Sequence, residues 1–346
     1  MKLHHRLLTA AASAVVATAL LAAPGSAAGE RYVALGDSYS SGLGTRTYLA
    51  DGTQCRRSAV AFPSLVAAAR GYALDFRACS GATVADVTSA QLGALTTSTR
   101  FVTISVGGND AGFADVLTEC ALPAWASDCD GAVDGAQAYV SGTLPARLST
   151  LYASIRSRAP QAKVVVVGYP RIFMGEDCNA LTFFSPSEQT RLNQTADRLN
   201  SVLSTRAAAA GFTFANPTSA FTGHAVCDDP EWLNGLSNPI DESYHPNVAG
   251  HRSGYTPLVS PRLTGTTTRV TDAVVREAEA SAATLAQSQR RYAAVDARIE
   301  PQDVQVPDLG SPRVLAAARR HDIDVTDRAE VERADRVFAQ RQAAAR

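Results

Sequence analysis

The chain has 346 residues, of which 46% are hydrophobic and 19% are charged, so it can bury a large core and is not globally disordered. Its 32 Lys and Arg residues against 33 Asp and Glu residues leave a formal net charge of −1 at pH 7. This balance excludes a globally basic nucleic-acid binder and gives no long-range attraction to membranes or acidic substrates.

The N-terminus has the three regions of a secretory signal peptide. A basic start is followed by an apolar run from Leu7 to Ala23 and by the small residues Ser26-Ala27-Ala28. The alternative, an uncleaved membrane anchor, would need an apolar run of about 20 residues, which is longer than this one. We therefore predict that residues 1–28 are removed and that the mature protein is secreted and extracellular, without a stable membrane anchor.

Short apolar segments alternate with helical patterns from residue 31 onward. We predict strands at 31–36, 72–76, 101–106, 163–168 and 212–215. We predict helices at 62–70, 139–158 and 187–210. Strands that are apolar on both faces and separated by helices are typical of a parallel sheet covered on both sides. The sequence predicts an α/β fold, a three-layer α/β/α sandwich with a mainly parallel five-stranded sheet, over residues 29–263.

The composition changes after Leu263. Residues 264–346 contain no Cys, Trp or Lys, and two Ala-rich helical patterns, at 271–294 and 327–345, are separated by a segment with three prolines. We predict a helical C-terminal extension with weakly apolar faces. The sequence leaves two arrangements open, an extension docked on the preceding domain and one that is partly disordered.

Six cysteines follow the predicted signal peptide, and all of them precede residue 230. They are Cys55, Cys79, Cys120, Cys129, Cys178 and Cys227. An even number in an oxidising compartment indicates three disulfides, for which about fifteen pairings are formally possible. Pairing in sequence order keeps each closed loop local, and we favour it. Because there is no C-x-x-C pair and no histidine at zinc-finger spacing, we expect no metal site, and we expect no cofactor.

Small polar loops follow the predicted strands, at the edge of a parallel sheet where ligands bind. Each of these loops, taken singly, fits an ordinary turn or helix cap. Together with a histidine late in the chain, they supply a serine, a glycine N–H and an asparagine amide, which are the parts of a serine acyl-transfer site. In chain order the three loops contain Gly36-Asp37-Ser38, Gly81 and Gly108-Asn109-Asp110, and the late histidine is His245.

These four blocks resemble the motifs of the SGNH (GDSL-type) hydrolases, a family named for a Ser, Gly, Asn and His that occur in this order. The resemblance covers roughly residues 31–255 and is strongest to the secreted bacterial esterase and lipase branch with three disulfides. It implies a flavodoxin-like sandwich and cysteines paired in sequence order, 55–79, 120–129 and 178–227.

The resemblance also implies a role for each residue. Ser38 would be the nucleophile, and His245 would take the Ser38 proton and return it to the leaving alcohol. The oxyanion hole would comprise the backbone N–H groups of Ser38 and Gly81 and the side-chain amide of Asn109. The absence of a G-x-S-x-G sequence argues against an α/β-hydrolase elbow.

One position departs from the family pattern. The family usually has an Asp three residues before the catalytic His, and here that position is Glu242, with Asp241 one residue earlier. We favour Glu242 as the residue that orients the His245 ring. Asp241 and a backbone carbonyl from Glu242 or Ser243 are the alternatives.

Other polar and aromatic residues are interpreted as structural. We expect His224 at the rim of the site and His251 in a structural role, and Asp37 and Asp110 ordering their own turns. Core packing is the expected role of three aromatic residues on loops after the strands, with an acyl pocket as the alternative; they are Phe113, Phe183 and Phe184.

The expected function is that of a secreted serine carboxylic-ester hydrolase of the esterase, lipase or phospholipase type, which acts on a small-molecule or lipid ester. A polysaccharide O-acetylesterase is the main alternative, because the same catalytic parts serve it. A catalytically inactive binding module is disfavoured by the intact set of four residues, and a dinucleotide-binding protein by the absence of G-x-G-x-x-G after the first strand. We expect a monomer that binds no nucleic acid.

Overall fold

The computed structural model describes residues 29–345, so the predicted signal peptide lies outside the described part. Five strands form one parallel sheet in the order β2-β1-β3-β4-β5. They are β1 (Arg31–Gly36), β2 (Ala73–Phe76), β3 (Phe101–Ser105), β4 (Lys163–Val167) and β5 (Thr213–Ala215). The central strands β1 and β3 are buried along almost their whole length, as expected for a sheet covered on both faces. The predicted five-stranded parallel sheet is confirmed.

Helices connect the strands and continue beyond β5. They are α1 (Ser38–Ser41), α2 (Phe62–Arg70), α3 (Val84–Asp86), α4 (Phe113–Cys120), α5 (Cys129–Gly142), α6 (Leu144–Arg158), α7 (Pro186–Ala209), α8 (Thr256–Thr264), α9 (Asp272–Ala280), α10 (Ala282–Gln289), α11 (Ala293–Asp296), α12 (Pro312–His321) and α13 (Arg328–Ala345). Short 3-10 or π turns occur at Val87–Gln91, Leu92–Ala94, Ile240–Glu242, Gly250–Tyr255 and Arg290–Tyr292. Helices α4 to α7 pack with one another, and α2 packs with α8 and α9. No helix within residues 29–345 has both the length and the apolar character needed to cross a membrane.

The helix predicted at 139–158 is two helices in the structure. Helix α5 ends at Gly142 and α6 begins at Leu144, with Pro145 in its first turn. Because proline has no N–H, it fits the first turn of a helix but interrupts the interior of one. By contrast, the helix predicted at 187–210 matches α7, whose start is fixed by a capping box between Ser185 and Glu188.

The six cysteines form three disulfides in sequence order, Cys55–Cys79, Cys120–Cys129 and Cys178–Cys227. This is the pairing that the family resemblance implied. The first disulfide joins the loop before α2 to the loop after β2, so it lies two residues from Gly81.

The C-terminal extension is docked on the rest of the chain. Ala278 of α9 packs against Leu65 of α2 in a small cluster. Ile299 and Val304, which follow α11, are buried in the main core beside the sheet. Helices α12 and α13 form a further core with Trp125. Of the two arrangements that the sequence left open, the structure has the docked one.

Candidate active site

Ser38 lies at the start of α1, directly after the turn that ends β1. Gly36 makes this turn with a φ of +123°, and a Cβ at that position would lie 2.3 Å from the Ser105 carbonyl oxygen. Asp37 caps α1, because its carboxylate accepts a hydrogen bond from the Tyr39 N–H at 3.1 Å. This strand-to-helix turn places Ser38 at the carboxyl edge of the sheet, where it is 6% exposed.

His245 is hydrogen-bonded to Ser38 on one side and to a backbone carbonyl on the other. Its Nε2 lies 2.8 Å from Ser38 Oγ, and its Nδ1 lies 2.8 Å from the carbonyl oxygen of Ser243. Because a carbonyl oxygen can only accept, Nδ1 carries the hydrogen, and Nε2 presents its lone pair to the Ser38 hydroxyl. Tyr244, between the two bonded residues, has a φ of +60°, and its carbonyl accepts a hydrogen bond from the Tyr39 hydroxyl at 2.8 Å. The turn that presents the Ser243 carbonyl is thus tied to α1.

Glu242, which we favoured as the residue that orients His245, is not hydrogen-bonded to that ring. Its buried carboxylate accepts a hydrogen bond from the Tyr48 hydroxyl and forms an ion pair with Arg46, with a distance of 2.8 Å between the charged atoms. The preference for Glu242 therefore does not hold in this structure. The Ser243 carbonyl, one of the alternatives, occupies the orienting position.

Asp241 acts on His245 only through its charge. Its carboxylate is paired with Arg56 at 2.7 Å and forms no hydrogen bond with the imidazole. Burial lowers the pKa of His245 to about 4, against the opposing effects of the Ser243 hydrogen bond and the Asp241 charge. The ring is therefore neutral at pH 7, which is the state that can accept a proton from Ser38.

Three loops at the sheet edge bring the expected oxyanion donors together. The Cys79 N–H donates to the last carbonyl of β1 at 2.9 Å, and the Asn109 amide donates to the Ala82 carbonyl at 3.0 Å. These bonds join the loops that contain Ser38, Gly81 and Asn109. Within the described residues, the N–H groups of Ser38 and Gly81 have no acceptor, and Asn109 keeps a second amide hydrogen. The arrangement can therefore donate to a substrate oxygen.

A narrow apolar cavity of about 70 Å³ adjoins His245. Two of its aromatic walls also contact the imidazole: the ring centroids of Tyr39 and Phe113 lie 5.2 and 6.1 Å from that of His245. Further walls come from α4, α5 and α7, namely Val116, Leu117, Val140, Leu192 and Leu199. The lining is apolar, as in a pocket for a hydrocarbon group, but the volume is well below the roughly 300–1,000 Å³ of a typical ligand pocket. Phe113 packs against the main core, the expected role, and its ring also lies beside the imidazole.

The two aspartates that we interpreted as structural have structural partners. Asp37 accepts hydrogen bonds from the Ser105 hydroxyl at 2.6 Å and from the Tyr169 hydroxyl, and burial raises the pKa of Asp37 to about 6. Asp110 accepts from the Val84 N–H at 2.9 Å, and burial raises its pKa as well. Tyr169 was not among the predicted site residues, and its only signal in the sequence is its place just after a strand.

The other candidate residues lie away from the Ser38–His245 pair. His224 stacks on Trp232, with 3.7 Å between ring centroids, and His251 is buried and accepts a hydrogen bond from a backbone N–H of α2. Phe183 packs in the core formed with α12 and α13, and Phe184 packs in the main core. None of these side chains is hydrogen-bonded to the side chain of Ser38 or His245.

Comparison with known proteins gives consistent matches over this part of the chain. The family model described as GDSL-like Lipase/Acylhydrolase matches residues 34–253. Lipase 1 of Streptomyces coelicolor is 46% identical over 257 residues, which cover 73% of this chain and 94% of that protein. The phospholipase A1 structure from Streptomyces albidoflavus NA297 is 46% identical with a TM-score of 0.65, covering 68% of this chain and 100% of that chain. The extracellular lipase structure from Streptomyces rimosus is 41% identical with a TM-score of 0.63, covering 68% of this chain and 99% of that chain. The C-terminal extension lies outside the residues that the family model matches.

Proposed function

The chain belongs to the GDSL-like Lipase/Acylhydrolase family and is an ester hydrolase, and within that class we propose that it hydrolyses lipid carboxylic esters through an acyl-enzyme on Ser38. The observation that carries this proposal is the distance of 2.8 Å between Ser38 Oγ and the neutral His245 Nε2. A serine hydroxyl bonded to a neutral imidazole, next to N–H donors without acceptors, is the arrangement that acyl transfer requires.

The reaction proceeds in two halves. Ser38 Oγ attacks the ester carbonyl carbon while its proton moves to His245 Nε2, and the carbonyl oxygen becomes an oxyanion that accepts from Ser38, Gly81 and Asn109. The ester bond breaks, and the leaving alcohol takes the proton from Nε2. A water molecule then gives a proton to His245 Nε2 and attacks the acyl carbon. The bond between that carbon and Ser38 Oγ breaks, Oγ takes the proton back from Nε2, and the carboxylic acid is released. The Ser243 carbonyl keeps Nδ1 protonated throughout, so Nε2 is always the atom that exchanges the proton.

The apolar lining of this cavity, rather than its volume, supports an acyl chain as the acid component of the substrate. It is lined by side chains of α4, α5 and α7 and adjoins the imidazole through Phe113. The similar proteins named lipase and phospholipase A1 agree with such a substrate. A polysaccharide O-acetylesterase is the second candidate, because it would use the same Ser38–His245 pair, but an acetyl group has no need of this cavity.

Chain-length profiling tests the substrate class. With p-nitrophenyl esters from acetate to palmitate, we expect kcat/KM to be higher for longer chains than for acetate. Ala111→Leu narrows the cavity and should lower kcat/KM for the longer chains only. Ala85→Leu, the same change on the exposed side of α3, is the matched control. A maximum at acetate that Ala111→Leu does not alter would favour the O-acetylesterase.

Covalent labelling tests the nucleophile. A fluorophosphonate should modify Ser38 alone, and Ser38→Ala should abolish both labelling and ester turnover. We expect the Ser38→Ala protein to keep the wild-type circular dichroism spectrum and melting temperature within error, because one hydroxyl at the edge of the sheet contributes little to packing. Labelling of a different serine would overturn the assignment.

Export is part of the proposed function. Three disulfides support an oxidising compartment, and one similar protein is described as an extracellular lipase. The test is N-terminal sequencing of protein recovered from the medium of a secreting host. We expect the first residue to be Gly29, and a product that stays in the cells with residues 1–28 attached would contradict the proposal.

A further inference from the structure

The C-terminal extension reaches the proposed oxyanion hole through residues 297–306, which we call the strap. The carbonyl oxygen of Glu300 lies 2.1 Å from the position that a Cβ on Gly81 would take, so only glycine tolerates this approach. The side-chain amide of Gln302 lies 3.5 Å from the Gly81 carbonyl oxygen. The strap therefore lies directly against the residue whose N–H is an expected oxyanion donor.

Both ends of the strap are fixed to the catalytic domain. At its start, Asp296 is buried between two buried guanidinium groups, 2.5 Å from Arg57 and 2.6 Å from Arg77. Near its end, the Gln305 N–H donates to the Thr118 hydroxyl of α4 at 2.9 Å. Helix α4 follows the loop that contains Asn109, so the strap joins the Gly81 loop to the helix that comes after the Asn109 loop.

Asp296 also fixes the position of the loop that contains Gly81. Arg57 donates through Nε to the Ala78 carbonyl at 2.9 Å, and Arg77 belongs to the same loop, residues 77–82. One buried carboxylate thus holds two guanidinium groups, each of which is attached to this loop. Arg57 keeps a second partner, Asp51, at 2.7 Å. Replacing Asp296 therefore loosens the loop while leaving Arg57 ion-paired.

We propose that the C-terminal extension positions the oxyanion hole, and that Asp296 is the positioning residue. The proposal rests on the proposed ester hydrolysis. Oxyanion donors stabilise the transition state only when they lie about 2.7–3.1 Å from the developing negative oxygen, and a displacement of about 1 Å can cost roughly 10²-fold in rate. The ground-state substrate does not need this geometry. Loosening the strap therefore lowers kcat and leaves KM nearly unchanged.

The test uses two carboxylate-to-amide variants of the full chain. Asp296→Asn is compared with Asp335→Asn, a change in α13 at a carboxylate that accepts from the Ala124 N–H at 2.8 Å and makes no contact with residues 77–82. Active sites are counted by complete reaction with a fluorophosphonate. Per counted site, we expect Asp296→Asn to lower kcat by about tenfold or more, with KM within about threefold of wild type. A trifluoromethyl ketone, which forms an oxyanion on Ser38, should bind to Asp296→Asn more weakly, by a factor similar to the fall in kcat. We expect no change in kcat for Asp335→Asn.

A milder variant covers the case in which Asp296→Asn does not fold. Thr118→Val keeps the side-chain shape but removes the acceptor for the Gln305 N–H, and it should lower kcat per site by a smaller factor with the same unchanged KM. If the variants lower only the melting temperature while kcat per site and ketone affinity stay at the wild-type value, the extension is structural and the proposal is wrong. A wild-type chain with no ester turnover would instead overturn the proposed function itself.

Discussion

His245 is oriented by a backbone carbonyl, which changes what the neighbouring carboxylates are expected to contribute. In a Ser-His-Asp triad the carboxylate fixes the tautomer and stabilises the imidazolium that forms during attack. Here the Ser243 carbonyl fixes the tautomer and offers only a partial negative charge. Glu242 and Asp241 are paired with Arg46 and Arg56 instead.

We therefore predict small effects from replacing either carboxylate. Glu242→Gln and Asp241→Asn should each change kcat by less than about tenfold, or about 1.4 kcal/mol of activation free energy, because neither bonds to the ring. His245→Ala should abolish turnover. The measurement is kcat per titrated active site on a saturating ester. A loss near 10⁴-fold for Glu242→Gln, the size seen when a triad carboxylate becomes an amide, would show that Glu242 does orient His245.

The burial of His245 predicts that the acidic limb of the pH profile occurs at unusually low pH. A protonated imidazole cannot accept the Ser38 proton, so kcat/KM is lost as pH falls through the pKa of His245 and gained as pH rises through it. Because burial lowers that pKa to about 4, kcat/KM should be half-maximal near pH 4 and constant by about pH 6. The Asp241 charge raises this pKa, so Asp241→Asn should move the limb to lower pH. A half-maximal point near pH 7 would indicate a carboxylate partner for the imidazole.

The sequence predicts the side chains of the candidate site but not the group that orients the His245 ring. Ser38, Gly81 and Asn109 stand in polar loops after strands, so their expected positions follow from the strand pattern. His245 lies far beyond the end of β5 and was predicted from its place in the family's order of motifs. Ser243 contributes only its carbonyl, which every residue has, and it is placed by the left-handed conformation of the following residue. No residue type signals that contribution.

At the scale of secondary-structure elements, local patterns predicted the sheet well. Strands such as β3 are short apolar runs with turn residues after them, and α7 begins at a capping box, so both are encoded locally. The division between α5 and α6 was missed because both helices carry the same apolar spacing. The break lies just before Pro145. Because proline fits the first turn of a helix but interrupts its interior, its effect depends on where the helix starts.

The disulfides lie in different parts of the fold, so we expect variants that lack different disulfides to differ in activity. Cys55–Cys79 borders the Gly81 loop, where the Ser80 N–H donates to the Cys55 carbonyl at 3.0 Å. We expect the double serine variant at 55 and 79 to lose about 2–4 kcal/mol of stability and also to show a lower kcat per titrated site. The matched control is the double serine variant of Cys178–Cys227, which should lose stability alone.

Melting curves and active-site titration measure the two effects separately. Reduction of the wild type should lower its melting temperature, since each closed loop restricts the unfolded chain. An equal fall in kcat per site for both double variants would contradict the assignment of the first disulfide to the oxyanion loop.

At the scale of the whole molecule, the extension is where sequence analysis was least informative. Its helices carry mixed charges at helical spacing, a pattern typical of a surface that needs no partner. The contacts that dock it join residues far apart in the sequence, such as Arg77 and Asp296, which are 219 positions apart. Nothing in the sequence distinguishes Asp296 from an exposed charged residue. In the folded chain it is buried and paired with both Arg57 and Arg77. Such complementarity has no local signature.

This docking predicts that residues 29–345 unfold as one cooperative unit. Ile299 and Val304 are buried in the main core, and burying each is worth about 1.5–3 kcal/mol. A chain that ends after Leu263 loses these contacts, and it also loses Asp296, the partner of Arg57 and Arg77. Because about 1 kcal/mol corresponds to roughly 2–4 °C for a chain of about 150–250 residues, as the truncated chain is, its melting temperature should fall by about 6 °C or more. In the full chain, hydrogen exchange should show α9 to α11 as protected as α2, the helix on which α9 packs. Rapid exchange throughout the extension, with a melting temperature that truncation leaves unchanged, would show that the extension is an independent attachment.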